Sequence, residues 1–249
     1  IIMLSDFIYI QKGVVLIESP FSRTRLLIGN DSFEKLQKSR VAVFGIGGVG
    51  SFAAEAIMRT GVGSIDLFDK DTVDVTNINR QLIADTETVG MPKTEVMKNR
   101  ILKINSQADV KANCCFFNKD NESDYDFSVY DYIVDAIDVI ASKILLIKKA
   151  NEENVPIISS MGTGNKIEPT KLEVDDIYNT SVCPLAKIMR HELKKHGVKR
   201  LKVVYSKEVP VYTPVDTVDG SKRVNASISF VPSVAGLILA SEVVKDIIK

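Results

Sequence analysis

Val41-Ala42-Val43-Phe44-Gly45-Ile46-Gly47-Gly48-Val49-Gly50 decides the fold. An apolar run passes directly into a glycine turn. The turn opens onto Ser51-Phe52-Ala53-Ala54-Glu55-Ala56-Ile57-Met58, a stretch of helix-forming composition. The order is therefore strand, glycine turn, helix. Glycines permit the tight turn and let a ligand approach the backbone, while the free N–H groups of the helix start face its phosphates. Taken alone, the spacing also fits a turn that binds nothing.

Working outward, a second apolar run, Ser64-Ile65-Asp66-Leu67-Phe68, ends at Asp69, nineteen residues after Gly50. An acid at the tip of a second strand is placed to accept hydrogen bonds from ribose hydroxyls. This much suits an NAD enzyme and an ATP enzyme equally. The stretch from Asp71 to Gln81 separates them, because it carries Asn77, Asn79 and Arg80, and Lys93 follows. Fixed cations beside a phosphate loop suit a triphosphate whose leaving group accumulates charge, and hydride transfer has no use for them.

A chain of 249 residues, 45% of them apolar, buries a full core of one α/β domain with or without an appendage. Its net charge of zero excludes a global polyanion-binding field. The three cysteines, Cys114, Cys115 and Cys183, form no disulfide framework, which points to a reducing cytosol and a cytoplasmic protein. No C-x-x-C occurs, so a four-thiolate zinc site is not expected. His191 and His196 are read as surface residues. The apolar stretch Ile1 to Ile10 lacks a basic start and is interrupted by Asp6, so neither a signal peptide nor a membrane span is expected.

Strand signals at 40–45, 64–69, 108–113, 130–136 and 155–159 alternate with helix signals at 48–60, 93–104 and 141–153. Asp31 is expected to cap a short helix ending near Lys38. Alternation of this kind predicts an α/β fold with a Rossmann-like, doubly wound, mainly parallel sheet. The ligand crevice of such a sheet lies beyond the carboxyl ends of the strands. The glycine loop, Asp69, the stretch Asp135 to Asp138, and Gly162-Thr163-Gly164 all fall on that rim. Three segments are expected: an arm at 1–20, a nucleotide-binding domain at 21–165, and an extension at 166–249 that completes the fold with strands at 171–174 and 201–205 and helices at 184–196 and 231–248. Residues 214–227 read as a polar loop. From Lys187 to Lys207 there are eight Lys or Arg and one acid, Glu192, which fits either a solvated helix face or a nucleic-acid contact.

Gly45 to Ser51, Asp69 to Val73, Thr76 to Gln81, Gly90-Met91-Pro92-Lys93 and Asp135 to Asp138 together resemble the ThiF/MoeB/HesA family, which shares the E1-like activating-enzyme fold. The resemblance runs from about Phe21 to the terminal helix. It implies binding of ATP and Mg2+ and adenylation of a carboxylate. By motif, Gly45, Gly47, Gly48 and Gly50 would form the phosphate loop and Asp69 would hold the ribose. Asn77, Arg80 and Lys93 would contact the triphosphate, and Asp138 would coordinate magnesium. Arg23, with Arg25 as competitor, would reach the ATP of the other subunit of a homodimer. Asp135 is expected to be structural, and Asn79 to shape its loop.

Within the family, Cys183-Pro184-Leu185-Ala186-Lys187 and Phe230 to Gly236 are similar to the tRNA threonylcarbamoyladenosine dehydratases. That likeness implies tRNA as substrate, with the basic segment 187–207 contacting it. It also implies a monovalent cation (Na+ or K+) without locating it, and leaves room for sulfur or redox partner proteins. The alternative is an enzyme that adenylates the C-terminal glycine of a ubiquitin-like sulfur carrier. Cyclisation of the tRNA group needs no enzyme thiol, so Cys183, the one cysteine expected near the site, is read as a bystander.

Overall fold

In the computed structural model, which describes residues 7–11, 14–212 and 225–249, the apolar run before the glycines is a strand buried at every position but its first. Ahead of it lie an antiparallel ribbon, β1 (Phe7–Gln11) with β2 (Val14–Glu18), and two short helices, α1 (Ser22–Ile28) and α2 (Asn30–Lys38). The strand is β3 (Arg40–Phe44), followed by α3 (Gly50–Arg59) and β4 (Ser64–Phe68). Next come α4 (Lys93–Ile104), β5 (Asp109–Asn113), β6 (Tyr132–Asp135), α5 (Ile140–Glu152) and β7 (Ile157–Ser160). The chain closes with β8 (Leu172–Asp176), α6 (Pro184–Lys195), β9 (Lys202–Ser206) and α7 (Phe230–Ile248).

Seven strands form one sheet in the order β5-β4-β3-β6-β7-β9-β8, parallel except for β8 against β9. Helices cover both faces, which is why β3, β4 and β6 read as nearly continuous apolar runs rather than alternating ones. From β3 the chain winds outward to β4 and β5, then returns to β6 and proceeds the other way. The switch between β3 and β6 opens a crevice at their carboxyl ends. The glycine loop leaves β3 at this point, and Asp135 ends β6 beside it.

Two local expectations are corrected. Asp31 is not the cap of α2: Gly29, at φ 83°, precedes the helix, and Asp31 lies in its first turn, where a carboxylate favours the positive helix end. The segment read as an arm contains the β1–β2 ribbon, which the sequence reading did not anticipate. Residues 214–224 of the expected polar loop lie outside the described residues.

The last helix positions the site from behind. Ala235, Leu239 and Val243 of α7 are fully buried in the cluster that also holds Ala53 and Ile57 of α3. Gly236 makes this approach possible, since a Cβ there would stand 2.3 Å from Val49 O. No helix among the described residues is long and apolar enough to cross a membrane.

Candidate active site

The crevice above β3 and β6 has a volume of about 560 Å3 and two ends. The glycine loop floors it. Gly45 has φ 90°, and a Cβ there would meet Ala136 O at 2.6 Å; at Gly50 it would stand 1.7 Å from Gly45 O. Both glycines are therefore required by the backbone itself. Gly47 differs, because the nearest atom to a Cβ would be Gln81 Nε2 at 3.9 Å, so its bareness leaves room for a ligand. Ser51 Oγ donates to Gly47 O at 2.6 Å and accepts from Leu82 N, tying the loop to the turn after Arg80.

Asp69 fixes the loop from the side. Its Oδ2 accepts from Ile46 N at 2.6 Å and its Oδ1 from Asp71 N at 2.9 Å. Each carboxylate oxygen keeps capacity for a further donor such as a ribose hydroxyl. Beside Asp69 the crevice becomes aromatic. Phe44 and Phe68 stack at 4.2 Å, Phe117 meets Phe44 edge-on, and Phe116 lines the wall under Lys70 Nζ. An apolar, aromatic slot next to a ribose-binding acid suits a purine. The pair Phe116-Phe117, separated by two residues from the predicted strand 108–113, was the sequence signal for this slot.

Lys93 begins α4, is 6% exposed, and reaches Asp71 Oδ2 at 3.2 Å, while Lys70 Nζ takes Asp71 Oδ1 at 3.0 Å. Burial pushes the Asp71 carboxyl up, but Lys70 and Lys93 outweigh it and hold it below its ordinary value. Asp71 is thus an anion that holds Lys93 at the crevice edge. Arg80 lines the crevice above Gly48. Asn77 does not line it: the residue is buried, with its Oδ1 accepting from Asp74 N in a capping box. Gln81 does line it, and its buried Oε1 has no hydrogen-bond partner among the described residues.

Asp135 and Asp138 have different surroundings. Asp135 is fully buried, with Lys143 Nζ at 2.7 Å, Ser159 Oγ at 2.5 Å and Ile137 N at 3.2 Å. Asp138 stands exposed on the rim, with no hydrogen bond or ion pair among the described residues. An open carboxylate fits magnesium, which takes one or two carboxylates and completes its shell with phosphates and waters. Among the described residues no cluster of three His, Cys, Asp or Glu forms a self-sufficient metal site.

The far end of the crevice is walled by Gly162 to Lys166, the start of α6, and residues 225–227. Cys183, 2% exposed, lies in this wall. It is not the only cysteine there: Cys115 lines the opposite end, and Tyr125 Oη donates to its sulfur at 3.1 Å. Lys166 also lines the wall, buried, with Nζ donating to Glu208 O at 2.7 Å; burial pushes its pKa down. From this wall α6 leads outward. Of the eight cations between Lys187 and Lys207, four are engaged: Arg190 by Thr180, Lys195 by Glu192, Lys202 by Glu242 and Asp246, and Lys207 by Glu173. Lys187, Lys194, Lys199 and Arg200 are exposed and have no ion-pair or hydrogen-bond partner among the described residues. Arg23 and Arg25 lie on α1, away from this crevice. Arg23 is exposed, and Arg25 stacks over Phe33 with its buried Nε unpartnered.

Comparison with known proteins matches this arrangement. Residues 21–249 fit the family model of the ThiF family. The tRNA threonylcarbamoyladenosine dehydratase of Bacillus subtilis is 45% identical over 241 residues, 92% of this chain and 94% of that protein. Its Escherichia coli counterpart is 38% identical over 226 residues, 84% of each. The crystal structure of the Escherichia coli enzyme in complex with ATP superposes with a TM-score of 0.83 at 35% identity, covering 92% of this chain and 93% of that one. A glycine-floored crevice at the β3/β6 switch and a match across nearly the whole length establish that the chain belongs to the ThiF family, with its E1-like Rossmann-type fold.

Proposed function

We propose that this protein is an ATP-dependent tRNA-modifying enzyme that adenylates the threonyl carboxylate of N6-threonylcarbamoyladenosine at position 37 and cyclises it to the hydantoin. The observation that carries this reading is the two-ended crevice. Its nucleotide end holds Asp69, Arg80, Lys93 and Asp138, and its acceptor end is walled by the start of α6, the helix that leads out to the exposed cations Lys187, Lys194, Lys199 and Arg200 on it and just after it. The relatives named above carry the same activity in their names over nearly their whole length.

ATP lies with its purine against Phe116 and Phe117, its ribose on Asp69 and its phosphates over Gly47. A carboxylate oxygen of the substrate attacks the α-phosphorus, and the bond to pyrophosphate breaks. Arg80 and Lys93 supply fixed positive charge where the leaving group accumulates negative charge, and Asn77 shapes the turn that carries Arg80. Asp138 would hold magnesium, which when bound withdraws charge from the departing phosphates. A carbamoyl nitrogen of the same side chain then attacks the acyl carbon, its proton leaves, and AMP departs, so that one water is lost overall. The second step is intramolecular and uses no enzyme thiol, so neither Cys183 nor Cys115 is required.

Residues 21–165 supply the nucleotide end and the 162–165 part of the acceptor wall, and 166–249 the rest of that wall, in this cytoplasmic enzyme. Leu26 and Leu27 on α1 are 82% and 85% exposed, which supports a homodimer in which Arg23 of that helix reaches the partner's nucleotide. The deciding experiment is mass spectrometry of nucleosides from threonylcarbamoylated tRNA incubated with the protein and ATP. A product lighter by one water supports the reading. Absence of that product, with adenylation of a sulfur carrier's C-terminal glycine instead, overturns it.

A further inference from the structure

Arg80 is oriented by its protein neighbours. Its Nη1 donates to Thr76 O at 2.9 Å and to Asn79 Oδ1 at 2.8 Å. That nitrogen carries two N–H bonds, so both are used on the protein. Nε and Nη2 have no acceptor among the described residues, and together they form the edge of a guanidinium that matches two phosphate oxygens. Thr76 contributes only its backbone, so Asn79 is the side chain that sets this orientation.

The other end of the Asn79 amide is also engaged. Its Nδ2 donates to Ser227 O at 3.1 Å, across the mouth of the crevice. Ser227 belongs to the acceptor wall, and that wall is pinned on its far side by Asn165. Asn165 N donates to Ala226 O at 2.8 Å, Ala226 N returns a bond to Asn165 Oδ1 at 2.9 Å, and Asn165 Nδ2 donates to Asn225 Oδ1 at 3.0 Å. Asn165 has φ 58°, a left-handed conformation that asparagine tolerates better than most residues, and its carbonyl also receives Val211 N at 2.7 Å. Hydrogen bonds, joined by the covalent Ala226–Ser227 link, therefore connect Arg80 through Asn79 to Asn165.

We propose that Asn79 is a positioning residue that registers the phosphate-binding edge of Arg80 to the acceptor wall. This rests on the proposed function only in taking Arg80 as a phosphate ligand. An alanine removes both bonds. An aspartate keeps an oxygen acceptor for Arg80 and has no donor for Ser227 O, so the two halves of the role separate.

Calorimetry with ATP should give Asn79→Asp a Kd within about twofold of the parent, and Asn79→Ala one weaker by about fivefold, the scale of one modest hydrogen bond. Single-turnover pyrophosphate release with threonylcarbamoylated tRNA should slow about tenfold in both variants, with tRNA Kd unchanged. In an Arg80→Lys background, whose ammonium has no fixed fork to orient, Asn79→Ala should leave ATP Kd unaltered. An equal loss in that background, or parental ATP affinity in Asn79→Ala alone, overturns the proposal. So does Asn79→Asp turning over at the parental rate, because the Ser227 bond then contributes nothing. Failure of the parent to cyclise tRNA would count against the proposed function and leave the ATP-affinity cycle to judge Asn79 by itself.

Discussion

Replacing Lys143 by methionine removes the cation that pairs with the buried Asp135 carboxylate. The two groups are 2.7 Å apart and both are 0% exposed. At an effective dielectric constant of about 20, their attraction is on the order of 6 kcal/mol, set against the desolvation of both groups. Without Lys143, Asp135 retains Ser159 Oγ and Ile137 N but no counter-charge. Breaking such pairs costs about 3–5 kcal/mol, because a buried charge is left uncompensated. For a chain of this size that corresponds to a Tm lower by roughly 10 °C. Changing both residues, Lys143→Met with Asp135→Leu, should restore most of the loss, since an apolar pair of similar volume often replaces a buried ion pair without cost. Urea unfolding followed by far-UV circular dichroism at neutral pH measures both. A loss below about 1 kcal/mol in Lys143→Met, or a double variant less stable than the single one, refutes the view that this pair is a structural anchor under the crevice.

The two kinds of glycine separate cleanly. Gly50→Ala should abolish the fold, because its Cβ would stand 1.7 Å from Gly45 O, whereas Gly47→Ala should keep its Tm and weaken ATP binding in a titration; equal stability of the two sinks the distinction. Asp246 is pushed up by burial but pulled down more strongly by Lys202, Lys249 and Tyr132, from 3.8 to about 2. A lowered folded pKa stabilises above the unfolded value and is lost as pH falls through the folded one, so Asp246→Asn should flatten stability between about pH 4 and pH 2, and an unchanged slope in urea titrations would rule this out. Charge reversal of Lys187, Lys194, Lys199 and Arg200 to Glu should weaken tRNA binding and make its salt dependence shallower while sparing ATP, and identical salt titrations would return the segment 187–207 to a solvated face. Cys183→Ala should retain most cyclisation when the modified nucleoside is quantified, and complete loss with intact folding would point to a thioester instead.

The parallel core was legible because each element carries its own local signal. The predicted strand 64–69 appears as Ser64–Phe68 and the predicted helix 93–104 as Lys93–Ile104. The crevice was legible for the same reason, since glycines and charges cluster in short motifs at strand ends. What stayed hidden depends on residues far apart in the chain. Lys143 is an ordinary helix residue until the fold brings it to Asp135 and Ser159. Asn79 reads as loop composition until Ser227 arrives opposite it. Asp31 shows the opposite failure, a sound capping residue at a boundary already made by Gly29, whose positive φ stops the preceding helix. The antiparallel pairing of β8 with β9 spans α6 and left no periodic trace that distinguished it from a parallel neighbour.

The packing of Gly236 against Val49 has a consequence for biosynthesis. Pro232 and Gly236 brace Gly48 and the first turn of α3, yet they are translated long after the loop they support, at positions 232–236 against 45–50. A contact of such sequence separation closes late in folding. A ribosome-bound chain that has released β3 to β7 but not α7 therefore carries a glycine loop without the Pro232 and Gly236 contacts that back it. The backing of the loop thus arrives only with α7, and a ligand of the glycine loop favours molecules in which α7 has docked.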